Sequence, residues 1–170
     1  MTVNYAFKTD RENVARAYGN SLGISTKQSV EITRMIRGMP VKKAKLMLEQ
    51  VTRLERAVPM KRYNQDTAHK KGMAAGKYPV SAAKEILSII KSAESNAKDK
   101  GLDTEYLIIY HISAHLASRP ARYGRKKRSV MKRSHIQVVL LEKKPKAEKK
   151  AGEKPAEKKK EAKQEKKDKK

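Results

Sequence analysis

"LIIYHISAHLASRPARYGRKKRSVMKRSHIQVVLL", residues 107–141, is the stretch of sequence that decides the fold. Apolar runs begin and end it, and a strongly basic segment separates them. Both runs alternate apolar with polar residues, which is typical of half-buried β-strands. The two strands are predicted to pair antiparallel, so the basic segment between them becomes the far end of a β-hairpin.

The alternation also predicts which strand residues face the core. In the first strand these are Ile108, Tyr110, Ile112, Ala114 and Leu116. In the second strand they are Ile136, Val138 and Leu140. The polar positions between them are predicted to face outward, with His111, Ser113 and His115 on the first strand and His135 and Gln137 on the second.

The basic segment, Ser118 to His135, contains no acid, and the nearest carboxylates are those of Glu105 and Glu142. Its eight cations are Arg119, Arg122, Arg125, Lys126, Lys127, Arg128, Lys132 and Arg133. Arginine forms a rigid fork that pairs bidentately with phosphate. At about 3.3 Å per residue, nine or ten residues a side give a reach of roughly 30 Å. We therefore expect a protruding arm at about residues 115–135 that only a surrounding polyanion would order.

Two helices are predicted upstream, joined by a short turn at Gly38 and Pro40. The first begins near Ser25, which matches a capping box with Gln28, and the second runs to about Arg56. Their apolar stripes are Ile32, Met35, Ile36 and Met39, then Val41, Ala44, Leu48 and Val51. Three cations fall on the opposite face of the first helix: Lys27, Arg34 and Arg37.

A third helix and a long loop complete the pattern. The helix is predicted from an N-cap at Ser81 to a stop at Gly101. Its stripe is Ala83, Ile86, Leu87, Ile90, Ala93 and Ala97. Residues 57–79 are predicted to form a structureless basic loop of a length typical of functional loops. Its candidate RNA contacts are Lys61, Arg62, Lys70 and Lys71. The element order predicts an α+β fold with helices on one face of an antiparallel sheet.

The composition predicts a polyanionic partner, because 42 Lys and Arg face only 18 Asp and Glu, a net charge of +24. The absence of cysteine excludes disulfides and thiolate sites and fits a reducing cytoplasm. No apolar run approaches the roughly 18 residues of a membrane span, and no signal peptide is expected. Residues 142–170 hold 14 Lys, no Arg and seven acids. We predict a globular domain over 1–141 and a disordered Lys-rich tail over 142–170.

Four segments together resemble the family of universal large-subunit ribosomal protein twenty-two, in its archaeal and eukaryotic form. They are "SVEITRMIRGMPVKKAKLML", "VPMKRYN", "YPVSAAKEILSIIKSAESNAKDKGLD" and "GRKKRSVMKRSHIQVVL". The resemblance covers roughly residues 12–141. It implies a three-stranded antiparallel sheet with about three helices packed on it, whose first strand comes from "VARAYGNSLG".

The resemblance also implies a function. A member of this family would be a structural part of the large ribosomal subunit in the cytoplasm, without membrane insertion. It would bind large-subunit ribosomal RNA near the polypeptide exit and contact neighbouring ribosomal proteins. Its long hairpin would line the exit tunnel and meet the nascent polypeptide. This places Arg119 to Arg133 in the tunnel wall and Lys27, Arg34 and Arg37 on the RNA side of the body.

Two other interpretations stay open. "ITRMIRGMPVKKAKLML" could be a helix-turn-helix that presents Lys42, Lys43 and Lys45 to DNA. Lysines suit phosphates better than base edges, however. An architectural DNA-binding protein would explain the charge but not the arm. Paired carboxylates, a nucleophile elbow and a Gly-rich cofactor loop are missing from the sequence, so neither an enzyme nor a cofactor is expected.

Histidines and tyrosines supply the remaining candidates. His111 and His115 share a strand face, but two histidines without cysteine or a nearby carboxylate do not make a metal site. Outward, RNA-facing histidines are expected instead, and His135 is counted as an RNA contact. Tyr63 and Tyr123 either stack on bases or pack on their neighbours.

Overall fold

The computed structural model describes residues 5–9 and 11–143 and confirms the α+β class. In chain order its elements are β1 (Val14–Leu22), α1 (Thr26–Ile36), α2 (Val41–Thr52), β2 (Val58–Pro59), β3 (His69–Lys70), β4 (Met73–Lys77), α3 (Val80–Asp99), β5 (Leu107–Leu116) and β6 (Ser134–Glu142). Short 3-10 turns lie at Thr104–Tyr106 and Gly124–Lys126. Across this described part of the chain, every helix is too short or too polar to cross a membrane.

The main sheet has three antiparallel strands in the order β1-β6-β5, so β6 is central. Its first strand is the N-terminal "VARAYGNSL", as predicted. The three helices form the main core on one face of this sheet, and their predicted apolar stripes are largely buried there. Ile112, Ile136, Val138 and Leu140 join that core. Gly19 lets α3 approach β1 closely, because a Cβ there would collide with the Ile89 side chain.

The opposite face of the sheet is covered by the N-terminal segment. Val14, Val139 and Leu141 are buried there against Tyr5 and Phe7. The backbone N–H of Ala6 donates to Gln137 Oε1 over 2.9 Å, and Gln137 is only 7% exposed. The prediction of an outward position is therefore wrong for Gln137, whereas His135 is half-buried. The alternation shows only that the two faces of the strand differ in polarity. It does not show that the N-terminal segment, which is far away in sequence, covers the more polar face.

A β-bulge in β5 also changes the predicted faces. Ile109 pairs with Leu140 and His111 with Val139, so Tyr110 is the extra residue. Before the bulge, Leu107 and Ile109 face the core, whereas Ile108 packs on the opposite face and Tyr110 is exposed. After it, Ile112 faces the core as predicted. One inserted residue reverses the side-chain alternation, and this explains the error at Ile108 and Tyr110.

The helix ends differ in detail from the predictions. Ser25 is the N-cap residue of α1, but its side chain makes no capping bond, so the capping box does not form. Helix α2 ends at Thr52, four residues before the predicted end, because Leu54 takes a left-handed conformation with φ 66°. Helix α3 begins at Val80 with Pro79 as its N-cap, which moves Ser81 into the first turn. Gly101, just beyond the end of α3, has a left-handed conformation with φ 73°, which prevents the helix from continuing.

Residues 57–79 are not a structureless loop. Strands β2, β4 and β3 form a small antiparallel sheet in that order. Ala57, Val58, Met60 and Ala75 are buried, which ties the small sheet to the rest of the domain. The strands were too short to show an alternating pattern.

Both edges of the main sheet are partly occupied. At the β5 edge the α1–α2 turn exchanges two backbone hydrogen bonds with Ile109, from the Gly38 N–H over 2.8 Å and to the Met39 carbonyl over 2.9 Å. At the β1 edge, Asn96 Nδ2 donates to the Arg16 carbonyl over 2.8 Å and Lys100 Nζ to the Val14 carbonyl over 2.9 Å. These contacts leave fewer backbone groups free for a further strand at either edge.

The domain boundary predicted at 141 falls within β6, which continues to Glu142. The disordered tail predicted over 142–170 lies outside the described residues from residue 144 onward.

Candidate nucleic-acid interface

The basic arm between β5 and β6 is an exposed, hydrogen-bonded hairpin. Its two sides are joined by the Ala117 N–H to the Arg133 carbonyl over 3.1 Å, Met131 to Pro120 over 2.9 Å, and Arg122 to Ser129 over 2.9 Å. The chain reverses at the turn Gly124–Lys126, where Gly124 has φ 64°. Every residue from 118 to 130 is exposed, so its cations are free to meet a ligand. The predicted reach of roughly 30 Å stays a prediction.

The root of the arm is fixed to the body. Arg133 donates from one guanidinium nitrogen to the Ser21 carbonyl over 2.9 Å. The buried Ser134 hydroxyl lies 2.7 Å from that of Thr26 and donates to the Ile24 carbonyl over 3.0 Å. His135 accepts from the Ser21 N–H at Nδ1 over 3.1 Å and stacks on Tyr18. Arg133 and His135 therefore position the arm, whatever else they contact.

The three cations predicted on α1 differ in their surroundings. Lys27 and Arg34 lie on the helix and are exposed. Arg37 lies one residue past its end and donates from its guanidinium to the Ile112 carbonyl over 2.9 Å. Arg37 thus holds the end of α1 against β5, and only its remaining donors are available to phosphate.

Two cations of the 57–79 segment, Lys61 and Arg62, lie in a turn whose backbone is hydrogen-bonded to a buried carboxylate. Glu31 on α1 is 1% exposed. Its carboxylate accepts three backbone N–H groups, from Lys61 over 3.2 Å and from Arg62 and Tyr63 over 2.8 Å each. Backbone donors can replace a cation as partners of a buried carboxylate. The side chains of Lys61 and Arg62 remain exposed, as do those of Lys70 and Lys71.

An open cleft lies where α1, the 57–79 segment and the root of the arm meet. Its volume is about 600 Å³. Five cations line it: Lys27, Lys77, Arg119, Lys132 and Arg133. The other lining residues include Tyr63, Asn64 and Leu116, and the described residues around it contribute no carboxylate. We call this space the Tyr63 cleft. It joins three basic segments that are far apart in sequence into one surface.

The histidines do not form a uniform RNA-facing row. The His111 ring stacks on Phe7 with centroids 4.8 Å apart, and its buried Nδ1 lacks a hydrogen-bond partner among the described residues. Burial, then the nearby Arg37 and His115, lower the pKa of His111 below its ordinary value of 6.5. The expected outward position is wrong for His111, because the N-terminal segment covers it. His115 is exposed and contacts Ser113.

Helix α2 is poorly suited to reading DNA. Lys45 pairs with Glu94 of α3 over 2.8 Å and is largely buried, and Lys42 pairs with Glu105 over 3.0 Å. Lys45 is therefore held by an acid in a partly buried pair, and Lys42 has an acid partner in an exposed one. The structure does not favour that interpretation.

Sequence reasoning placed most of this surface but missed part of the cleft. Lys77 and Asn64 were not singled out, and Leu116 was assigned to the core although it is 57% exposed. The available signal was the basic character of residues 57–79. The sequence does not show that hydrogen bonds to Glu31 hold this segment close to the arm. Within residues 5–9 and 11–143, the histidines and carboxylates do not form a group of three or more that could hold a metal ion.

Comparison with known proteins identifies the family. A family model of ribosomal protein L22p/L17e matches residues 17–141, which hold the three helices, the arm and most of the main sheet. The chain belongs to this family. The resemblance predicted from the sequence is thereby confirmed. Because the family is one of structural ribosomal proteins, the expectation that the chain is not an enzyme is confirmed with it.

Relatives in the L22p/L17e family match over most of their length. The large ribosomal subunit protein uL22 of Methanococcus aeolicus is 40% identical over 148 residues, 82% of this chain and 97% of the relative. That of Hyperthermus butylicus is 39% identical over 152 residues, 83% of this chain and 97% of the relative. That of Archaeoglobus fulgidus is 42% identical over 125 residues, 71% of this chain and 81% of the relative.

Proposed function

We propose that this chain is a structural component of the large ribosomal subunit in the cytoplasm and that it binds large-subunit ribosomal RNA. The observation that carries the proposal is the arm, which holds eight cations and no acid on a hairpin where seven of the eight, all but Arg133, are exposed. Such a surface repels itself until phosphates neutralise it. The relatives named large ribosomal subunit protein uL22 support a place for the chain in that subunit, and large-subunit ribosomal RNA is the polyanion that we propose for it.

The body and the arm have separate roles in this proposal. Lys27 and Arg34 on α1, with Lys61, Arg62, Lys70 and Lys71 from the 57–79 segment, bind phosphates on the body. The exposed arm, including Tyr123, passes between RNA segments near the polypeptide exit and lines the exit tunnel, where the nascent polypeptide is its neighbour. Other large-subunit proteins contact the remaining surface.

Salt dependence of binding tests the RNA interface on α1. Each phosphate contact that is lost should flatten the log–log plot of affinity against salt by about one unit. We expect Arg34→Ala to do so with large-subunit ribosomal RNA. Lys42→Ala is the matched control, because Lys42 already pairs with Glu105. An unchanged slope for Arg34→Ala would remove that face from the interface.

Cofractionation tests the wider proposal. The full chain should sediment with large ribosomal subunits and bind large-subunit ribosomal RNA more tightly than duplex DNA at matched salt. Equal affinity for the two nucleic acids, without cofractionation, would favour an architectural DNA-binding protein instead.

A further inference from the structure

The Tyr63 cleft differs from the rest of the basic surface because it combines charge with an aromatic ring in a concave space. The Tyr63 ring is half-buried, with Lys27 Nζ 5.8 Å and the Arg62 guanidinium carbon 5.3 Å from its centroid. The volume of the cleft, about 600 Å³, lies within the range of roughly 300–1,000 Å³ that is usual for small-molecule binding sites. A double helix is too wide to enter such a space, but a single nucleotide is not.

The lining supplies a partner for each part of a nucleotide. A base has two π-faces that stack on aromatic rings, and it has edges that need both donors and acceptors. Tyr63 offers the ring, Leu116 an apolar wall, and the Asn64 amide one donor and one acceptor group. Arg119, Arg133 and Lys27 bring positive charge for the phosphate. Lys27 and Arg62 have long side chains that can leave the ring for the phosphate when a base arrives.

The ring is held in place before any ligand binds. Its own backbone N–H donates to the buried Glu31 carboxylate over 2.8 Å. The next residue, Asn64, is in the left-handed region at φ 58°, and its carbonyl accepts from the Thr67 N–H over 3.2 Å. A turn fixed in this way loses little further freedom on binding, which favours affinity.

We propose that the Tyr63 cleft receives one unpaired RNA nucleotide, with its base on Tyr63 and its phosphate among Lys27, Arg119 and Arg133. The inference rests on the proposed function, since it names the kind of RNA element that the body recognises. Unpaired bases are the usual targets of sequence-sensitive RNA recognition. The cleft would thus select a bulge or loop, whereas the other exposed cations bind phosphates of any structure.

Binding of hexaadenylate and of a fully paired RNA duplex to the full chain tests the proposal. Tyr63→Leu should lower the affinity for hexaadenylate about 5- to 150-fold, the range for one stacked base. Affinity for the duplex should stay within about twofold, because phosphate contacts are kept. Tyr63→Phe keeps the ring and should retain hexaadenylate binding. Tyr106→Leu is the matched control, since Tyr106 is an exposed tyrosine outside the cleft.

Two results would overturn the proposal. The first is equal hexaadenylate affinity for Tyr63→Leu and the unchanged chain, in a protein that still binds ribosomal RNA with steep salt dependence. The proposed function would survive that result. The second is hexaglutamate binding as tightly as hexaadenylate, which would make the cleft a general anion site. Failure of the unchanged chain to bind ribosomal RNA would instead contradict the proposed function itself.

Nuclear magnetic resonance keeps the test valid if Tyr63→Leu does not fold. In the unchanged chain with hexaadenylate, nuclear Overhauser contacts should connect the Tyr63 ring protons with adenine protons. Their absence at saturating hexaadenylate would also overturn the proposal.

Discussion

At the scale of single residues, Glu31 shows why a buried charge can matter more than an exposed one. The carboxylate sits at the boundary of core and interface and fixes the backbone from which Lys61, Arg62 and Tyr63 project. Nothing in the local sequence marks it, because an acid beside Ile32 on an amphipathic helix is usually solvated. Its partners lie about 30 residues away, so only the folded chain identifies it.

Replacing Glu31 with glutamine should destabilise the domain. The amide keeps one acceptor oxygen but turns an NH₂ group toward backbone donors, which leaves buried groups unpaired. We expect the free energy of unfolding to fall by about 1–3 kcal/mol, measured by urea denaturation. Glu55→Gln is the control, because Glu55 is exposed beyond α2. Equal stability of both variants would show that the three hydrogen bonds contribute little.

His111 should make stability depend on pH. Its pKa is lowered in the folded chain by burial, Arg37 and His115, so the unfolded chain binds a proton more readily. The stability that neutral His111 contributes is complete above the ordinary pKa of 6.5 and is lost as the pH falls through it toward the lowered folded value.

Thermal unfolding measured between pH 8 and pH 5 tests this expectation. The midpoint should fall on acidification in the unchanged chain and should fall less in His111→Phe, which can still stack on Phe7. His69→Gln serves as the comparison, because His69 is exposed. If His111→Phe kept the full pH dependence, another group would be responsible.

At the scale of elements, the regularly repeating ones were the most predictable. Strand β5 and helix α3 have long apolar patterns, and their limits were predicted to within about two residues. The errors came from interactions between elements. The bulge at Tyr110, the cover of Tyr5 and Phe7, and the short strands β2 to β4 depend on contacts that no local pattern contains. The candidate site shows the same difference. Most of its cations were predicted from the sequence, but the cleft was not, because it forms between elements that are far apart in sequence.

The arm should be dispensable for folding of the body. Its exposed residues bury almost no apolar surface, and shortening a loop changes closure entropy only slowly. Replacing residues 120–131 with a short turn should therefore move the thermal midpoint by less than about 3 °C. Trypsin should cut the free, unchanged chain within Arg122 to Arg128 before any other site in residues 12–141. Protection there without RNA, or unfolding of the shortened chain, would make the arm part of the core.

At the scale of the whole molecule, the charge divides into two kinds. The arm uses mainly arginine on a defined hairpin, whereas residues 142–170 use only lysine, mixed with acids. Hydrated lysine charges attract RNA without fixing its geometry. The two regions should therefore differ in specificity as well as in strength.

Removing residues 145–170 should weaken binding to unrelated RNA, mostly at low salt, where charges are little screened. Entry into large ribosomal subunits should be unaffected, as measured by cofractionation of the shortened chain. Converting Arg125, Lys126 and Lys127 to alanine is the opposite control and should impair entry more than general RNA affinity. A shortened chain that failed to join subunits would show that the tail is a specific element.

The occupied edges of the main sheet bear on how the free chain behaves toward other copies of itself. An open strand edge can pair with a strand of another chain, and repeated pairing of this kind leads to aggregates. Here Asn96 and Lys100 occupy carbonyls along β1, and the turn at Gly38 and Met39 occupies β5 at Ile109, near its start. Copies of the chain also repel one another through their net charge of +24. Self-association by strand addition is thereby opposed twice, by geometry and by charge, before assembly begins.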